Sequence, residues 1–225
     1  TLVSSSSLAL KLDSSSNIQF GEGGAGTFSD GKLGTNVDSP YIRFILEKLV
    51  EFGADKDILY EAKPHVGTDV LRTVIVNIRK HLITSGVNVM FNTELIDFDD
   101  STAKLLLYNK EEKQEYFDYL VLAVGHSATP IYELLKKKEV ELEPKNFAVG
   151  VRIEHLQSEI NNVQYHGHYE NLGAADYKLV AHVGNRSLYT FCMCPGGYVV
   201  NASSEEGALV TNGMSNNKRD SLNAN

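Results

Sequence analysis

Five glycines, Gly21, Gly23, Gly24, Gly26 and Gly31, fall within eleven residues, interleaved with Glu22 and followed at once by Lys32. Glycine lets a backbone adopt positive φ and lets a ligand approach with no Cβ in the way. Successive exposed N–H groups in such a loop form a concavity suited to an anion such as a pyrophosphate. The run is not a G-x-G-x-x-G opening a helix after a strand. Nor is it a Walker A loop, because Lys32 is followed by Leu33 instead of Ser or Thr. On chemistry alone a mobile loop and a cofactor loop both fit it.

A second candidate is Val121 to Ser127, where an apolar run ends at Gly125 and His126. A buried strand ending there would put backbone N–H groups at its carboxyl end, where open α/β sheets bind ligands. A plain strand-to-loop turn is the competing reading. As a histidine, His126 could act as an acid or as a donor to a cofactor. Arg152 and Lys178 could hold an anionic substrate, since guanidinium groups pair bidentately with carboxylates. Arg152 could equally pair with Glu154 or a buried acid. Cys192 and Cys194 are two residues apart, so on a strand both thiols would share a face. They read either as a redox pair or as small buried hydrophobes.

These side chains need a scaffold, and the composition sets its class. The chain has 225 residues, with 42% hydrophobic and 22% charged residues, as in an ordinary globular protein. No stretch approaches the ~20 apolar residues of a membrane helix, and the start lacks a secretory pattern. A net charge of -8 without a basic stripe argues against a nucleic-acid partner. Two cysteines exclude a disulfide framework and suit a reducing, cytoplasmic compartment. Their spacing does not make a structural zinc site, so no metal is expected.

Along the chain, residues 1–16 are Ser-rich and read as poorly ordered. Ser39 and Pro40 start a helix carrying Ile42, Ile45, Leu46 and Leu49, which Gly53 ends. Thr68 or Asp69 caps a longer one whose apolar face is Leu71, Val74, Ile75, Ile78 and Leu82, ending at Gly86. Residues 87–91, 95–98, 103–108 and 119–124 read as strands, the last of them buried. A helix follows over residues 130–138. Residues 147–154, 188–193 and 198–202 are strand-like, and the tail from 205 has no period. Residues 17–145 are assigned to an α/β domain with a small antiparallel insertion, and residues 146–225 to a mostly β, α+β region.

Several segments together resemble a known family. The loop NIQFGEGGAGTFSDGKL at residues 17–33 is the leading one. AKPHVGTD at 62–69, AVGHSA at 123–128 and AVGVRIEH at 148–155 accompany it. LGAADYK at 172–178, FCMCPGG at 191–197, ASSEEG at 202–207 and VTNGMS at 210–215 complete the series. The chain thereby resembles the FAD-dependent dehydrogenases, also labelled NAD(FAD)-utilising dehydrogenases. The resemblance implies a glutathione-reductase-type fold, in which a Rossmann-like FAD-binding domain is interrupted by a cap or substrate domain. It implies FAD contacts from Glu22, Gly23, Gly24, Ala25, Gly26, Thr27, Phe28, Ser29, Gly31 and Lys32. Leu95 would meet the adenine, Gly125 and His126 would lie close to FAD, and Arg152 would lie on the substrate side. His126 and Arg152 are the candidate catalytic residues.

The expected activity is that of an FAD-dependent oxidoreductase acting on a small-molecule substrate. No second dinucleotide fingerprint supports NAD(P)H as the electron donor. Such proteins begin with a G-x-G-x-x-G unit and end with a late flavin-contacting segment. Neither is present, so the chain reads as a central portion, or else as a truncated module that does not hold FAD. An RNA-modifying flavoprotein is disfavoured by the acidic balance.

Overall fold

The computed structural model describes residues 12–14, 16–35, 37–167 and 171–225. The Ser-rich start falls largely outside the described residues. So do the placement of Asn36, the stretch 168–170 and the side chain of Ala25.

The chain forms two compact units, one made of Thr1–Ile78 and Val151–Asn225, the other of Arg79–Gly150. These units are drawn by packing and cut across the sequence-based division, which kept 17–145 together and set 146–225 apart. In the first unit a short 3-10 turn, Gly24–Phe28, precedes helix α1, Tyr41–Glu51. The Tyr41 N–H donates to Ser39 Oγ at 3.3 Å, so Ser39 caps this helix as its position before Pro40 suggests. Gly53 takes φ 118° just past the end of α1.

Helix α2, Thr68–Thr84, packs its buried Val74 against Ala54, Ile58 and Val66. Leu33, Leu46, Leu49, Val50 and Phe52 close around that cluster. This small core lies directly behind the glycine loop. An antiparallel bridge links Lys32 to His65, with the Val66 N–H donating to Gly31 O at 2.9 Å.

The rest of the first unit is built from short antiparallel pairs. Strand β4, His155–Leu156, leads at once into helix α4, Gln157–Tyr165. Strands β5, Val180–Val183, and β6, Arg186–Tyr189, form an exposed hairpin. Strand β7, Gly197–Asn201, pairs with β8, Thr211–Ser215, and β9, Asn223–Ala224, returns to pair with β4. Beyond β9, Asn225 and Cys194 exchange backbone hydrogen bonds of 2.7 and 3.3 Å. The 192–194 stretch thereby lies beside the chain's last described residue.

The second unit holds a three-stranded antiparallel sheet of order β1-β2-β3. Its strands are β1, Thr93–Phe98, β2, Thr102–Leu107, and β3, Glu112–Tyr116. Asp99 fixes the β1–β2 turn by accepting from the N–H groups of Ser101 at 2.8 Å and Thr102 at 2.7 Å. Helix α3, Thr129–Lys137, is tethered by Lys138, which reaches Asp97 at 2.6 Å and lies 5.0 Å from the Phe98 ring.

Several elements differ from the sequence reading. Glu112 and Lys113, outside every strand read from the sequence, start β3. Residues 87–91 are not a strand, and the pairing begins at Thr93. Residues 119–124 and 147–154 carry strand-like apolar runs yet pair with nothing among the described residues. Tyr119 is 91% exposed and Phe147 85%. An extended segment becomes a strand only when a neighbour supplies the ladder, because its N–H and C=O groups need partners other than water. All named strand pairs are antiparallel. The content is mixed, with helices and several small, mostly β sheets.

Candidate functional site

The glycine loop contains two kinds of glycine. Gly23 and Gly31 are packed. A Cβ on Gly31 would overlap the Val66 carbonyl, and one on Gly23 would overlap the Thr27 side chain. Gly21, Gly24 and Gly26 face open space, since a Cβ on any of them would meet no heavy atom within 4 Å. The loop therefore holds its own shape on one side and leaves the other side uncovered. Local side chains fix that shape. Thr27 Oγ1 donates to Gly24 O at 2.9 Å, Ser29 Oγ donates to Gly26 O at 2.9 Å, and the Gly31 N–H donates to Ser29 Oγ at 3.0 Å.

Residues distant in sequence clamp the same loop. Thr68 Oγ1, at the start of α2, donates to Ser29 O at 3.0 Å. Asn212 Nδ2, on β8, donates to Phe28 O at 2.9 Å. Arg72 on α2 stacks its guanidinium 5.2 Å from the centre of the Phe28 ring.

The centre of the clamp is Asp30, whose side chain is only 4% exposed. Its carboxylate lies 2.7 Å from Lys32 Nζ. It accepts from Arg219 Nε at 2.9 Å, from Arg219 Nη2 and from the Ser215 hydroxyl. Lys32 also donates to the Met193 carbonyl. A buried carboxylate needs such partners, since an isolated one would be too poorly solvated to stay ionised. Asp30 and Ser215 lie within the quoted motifs but not among the candidate site residues, and Arg219 lies in neither. The available signal is an acid two positions before Lys32 in a glycine-rich loop. Nothing in the tail marks Arg219 as its partner.

A second polar group surrounds Gly213 on β8. A Cβ at Gly213 would overlap Asn225 Oδ1 and lie 2.6 Å from both Arg152 Nη1 and Cys194 Sγ. Arg152 Nη1 donates to Asn225 Oδ1 at 2.6 Å. The expected pairing of Arg152 with Glu154 or a buried acid is therefore replaced by a neutral amide. Glu154 is exposed.

Cys192 is exposed and Cys194 buried, so the two thiols do not share a face as an i, i+2 pair on a strand would. Residues 190–194 form no strand, and that periodicity does not apply. Burial is the main cause that pushes the Cys194 thiol above its ordinary pKa. Asp30 adds to the rise, while Lys32 and Arg152 oppose it. The thiol thus senses both polar groups. Beside them, His155 Nε2 meets the Tyr177 hydroxyl at 2.9 Å, and His155 Nδ1 is buried without a partner.

The remaining sequence candidates belong to the other unit. Leu95 lies on β1 opposite Leu105 of β2. Gly125, with φ 74°, and His126 form the turn before α3. Tyr132 Oη donates to Gly125 O at 3.0 Å, and His126 Nε2 lies 3.3 Å from Ser127 Oγ. His126 is exposed, as is Lys178 in the first unit. Among the described residues no group of His, Cys, Asp and Glu is arranged to hold a metal ion, and no helix is long and apolar enough to cross a membrane.

Against known proteins, an uncharacterized protein of Clostridium beijerinckii is 47% identical over 221 residues, 96% of this chain and 41% of that protein. The chain spans about two fifths of the length of this relative. Residues 146–225 match the family model described as FAD-dependent protein, C-terminal domain-like, which supports an FAD-dependent family for the chain.

Proposed function

We propose that this chain is part of an FAD-dependent oxidoreductase, a dehydrogenase acting on a small molecule, and that its glycine loop lies against the cofactor. The observation that carries the reading is the joint at Asp30. The uncovered glycine face at Gly21, Gly24 and Gly26 is locked, through Asp30, to Ser215 and Arg219 of the segment similar to FAD-dependent proteins. A loop evolved only as a connection has no need of a buried acid with three partners. A face without Cβ atoms is what a closely approaching pyrophosphate or ring system requires.

On this reading the backbone from Glu22 to Ser29, with Gly31 and Lys32, lines the cofactor. Lys32 has charge to share because Arg219 also neutralises Asp30. The resemblance to the FAD-dependent dehydrogenases adds to this reading a Rossmann-like fold, FAD contacts at Leu95, Gly125 and His126, and a substrate-side Arg152. A bound flavin would supply the hydride- or electron-accepting chemistry that side chains lack. The protein's own part is to bind, orient and exclude water. The same reading places the protein in a reducing, cytoplasmic compartment. No feature of the chain argues for a nicotinamide partner.

The test is a flavin titration of the purified chain, and of the chain extended by its flanking coding sequence, each as wild type and as Gly26→Ala. The added methyl of Gly26→Ala meets no protein atom, so the melting temperature should stay the same. Flavin affinity should fall about ten-fold, equivalent to ~1.4 kcal/mol. Equal affinity in the two proteins would remove the loop from the cofactor site. A folded protein that takes up no flavin at either length would sink the oxidoreductase reading in favour of a non-catalytic module.

A further inference from the structure

Strands β5 and β6 pair over four residues each, and every residue of both is exposed. Directly opposed residues of an antiparallel pair share a face. One face therefore carries Val180 and Tyr189, with the Phe191 ring 5.6 Å from that of Tyr189. The other carries Ala181, Leu188 and Val183, and Leu179 continues it at the base. Leu179, Val180, Val183, Leu188, Tyr189 and Phe191 are each between 52% and 62% exposed. An ordinary surface hairpin shows one apolar face and one polar face. Apolar residues on both faces are the pattern of a strand pair buried on both sides.

The hairpin is held at its base. The Thr190 N–H donates to Leu179 O at 2.9 Å, and just beyond Phe191 the Met193 carbonyl accepts from Lys32 of the glycine loop. Two strands alone are marginal in water, so this element needs a cover to be stable.

The number of apolar faces decides which cover fits. A symmetric contact with a second copy of the chain covers one face and leaves the other in water. Covering the second face with further copies takes a different contact, one that repeats without closing and gives filaments. A separate partner protein would leave both faces in water whenever it was absent, which soluble proteins avoid. The same polypeptide meets neither difficulty. In the relative that is 47% identical, the matched region is 41% of the length, so more than half of that protein lies outside it.

We propose that β5–β6 is the middle layer of a core completed by polypeptide of this protein outside residues 1–225. One such segment packs on Val180, Tyr189 and Phe191, and another on Leu179, Ala181, Val183 and Leu188. Both segments present aliphatic or aromatic side chains, because neither face offers them a charge near its base. The inference is independent of flavin.

The experiment uses the protein expressed with its native flanking coding sequence. p-Benzoylphenylalanine replaces Tyr189 in one variant and Leu188 in another, one on each face, and photo-cross-links are mapped by mass spectrometry. Both positions are expected to link within one molecule to residues outside 1–225, with a yield unchanged on dilution. Links to a second copy, links confined to residues 1–225, or a face that links to no protein overturn the proposal. A coding sequence that does not extend past residues 1–225 overturns it too. Where a variant does not fold, hydrogen exchange of the wild type decides. Amides of residues 179–191 should then exchange about 100-fold more slowly in the whole protein than in residues 1–225 alone, at any protein concentration. Equal rates overturn the proposal.

Discussion

At the residue scale, Asp30 carries a larger share of the first unit than its exposed neighbours Glu22 and Lys32. It joins a loop to a segment 189 positions away through Arg219, and to Lys32 only two positions away. Replacing Asp30 with Asn keeps the shape but removes the charge that two cations share. Removing the buried charge costs about 3 kcal/mol, because the half-buried Arg219 is left uncompensated. Urea unfolding of Asp30→Asn should show a loss of that size. A change below about 0.5 kcal/mol, the ordinary range for a surface substitution, would mean that the network is solvated and weak. The sequence shows Asp30 and Lys32 two positions apart but conceals Arg219. An exposed-looking Lys-Arg-Asp stretch in a polar tail gives no hint that its arginine is half-buried against an acid far back in the chain.

At the scale of elements, the glycine loop depends on its contact with the chain entering α2. Gly31 has φ 66° and lies so close to Val66 that a side chain there would overlap the carbonyl that follows. Gly31→Ala should therefore open the Lys32–His65 bridge. It should destabilise the protein by about 3 kcal/mol, the combined effect of left-handed strain and overpacking. Thermal unfolding of Gly31→Ala beside Gly26→Ala separates the two kinds of glycine. If both variants melt like wild type, the packed and open faces are not distinct.

The helices were readable because their signals are local. Ser39 before Pro40, Gly53 and Gly86 at the ends, and apolar residues at helical spacing all act within a few turns. Helix α4 was missed because Gln157–Tyr165 is mostly polar and its buried residue is Gln157. That side chain receives the Gly196 N–H at 2.8 Å and donates to Ala175 O at 2.9 Å. Strand β8, with the sequence TNGMS, was missed for a related reason. Two of its three buried residues, Gly213 and Ser215, are small, and it is held by pairing with β7.

At the scale of the whole molecule, each of the two units carries its own contacts, and residues 140–150 run exposed and without regular structure at the boundary. Exposed backbone lacking hydrogen bonds is where proteases cut first. Trypsin should therefore cleave earliest at Lys145, leaving Arg72 and Arg79 of α2 for later. Early cleavage inside α2, detected by mass spectrometry, would show that the helix opens more readily than the segment between the units.

What the sequence by itself determined is whatever depends on near neighbours. It specified the helices α1, α2 and α3, the β1–β2 hairpin, and a glycine loop with backbone freedom and a lysine at its end. The motif series also pointed to FAD-dependent dehydrogenases, and the match of residues 146–225 supports the coarser part of this, an FAD-dependent family. Tertiary structure alone decided which of these residues meet. The apolar run at 119–124 reads as a buried strand, yet no ladder forms on it among the described residues. Arg152 had an acid two positions away but pairs with an amide 73 positions on. The cause is the same in both cases. Strand pairing and buried charge are properties of the partner as much as of the residue, and partners distant along the chain leave no local trace.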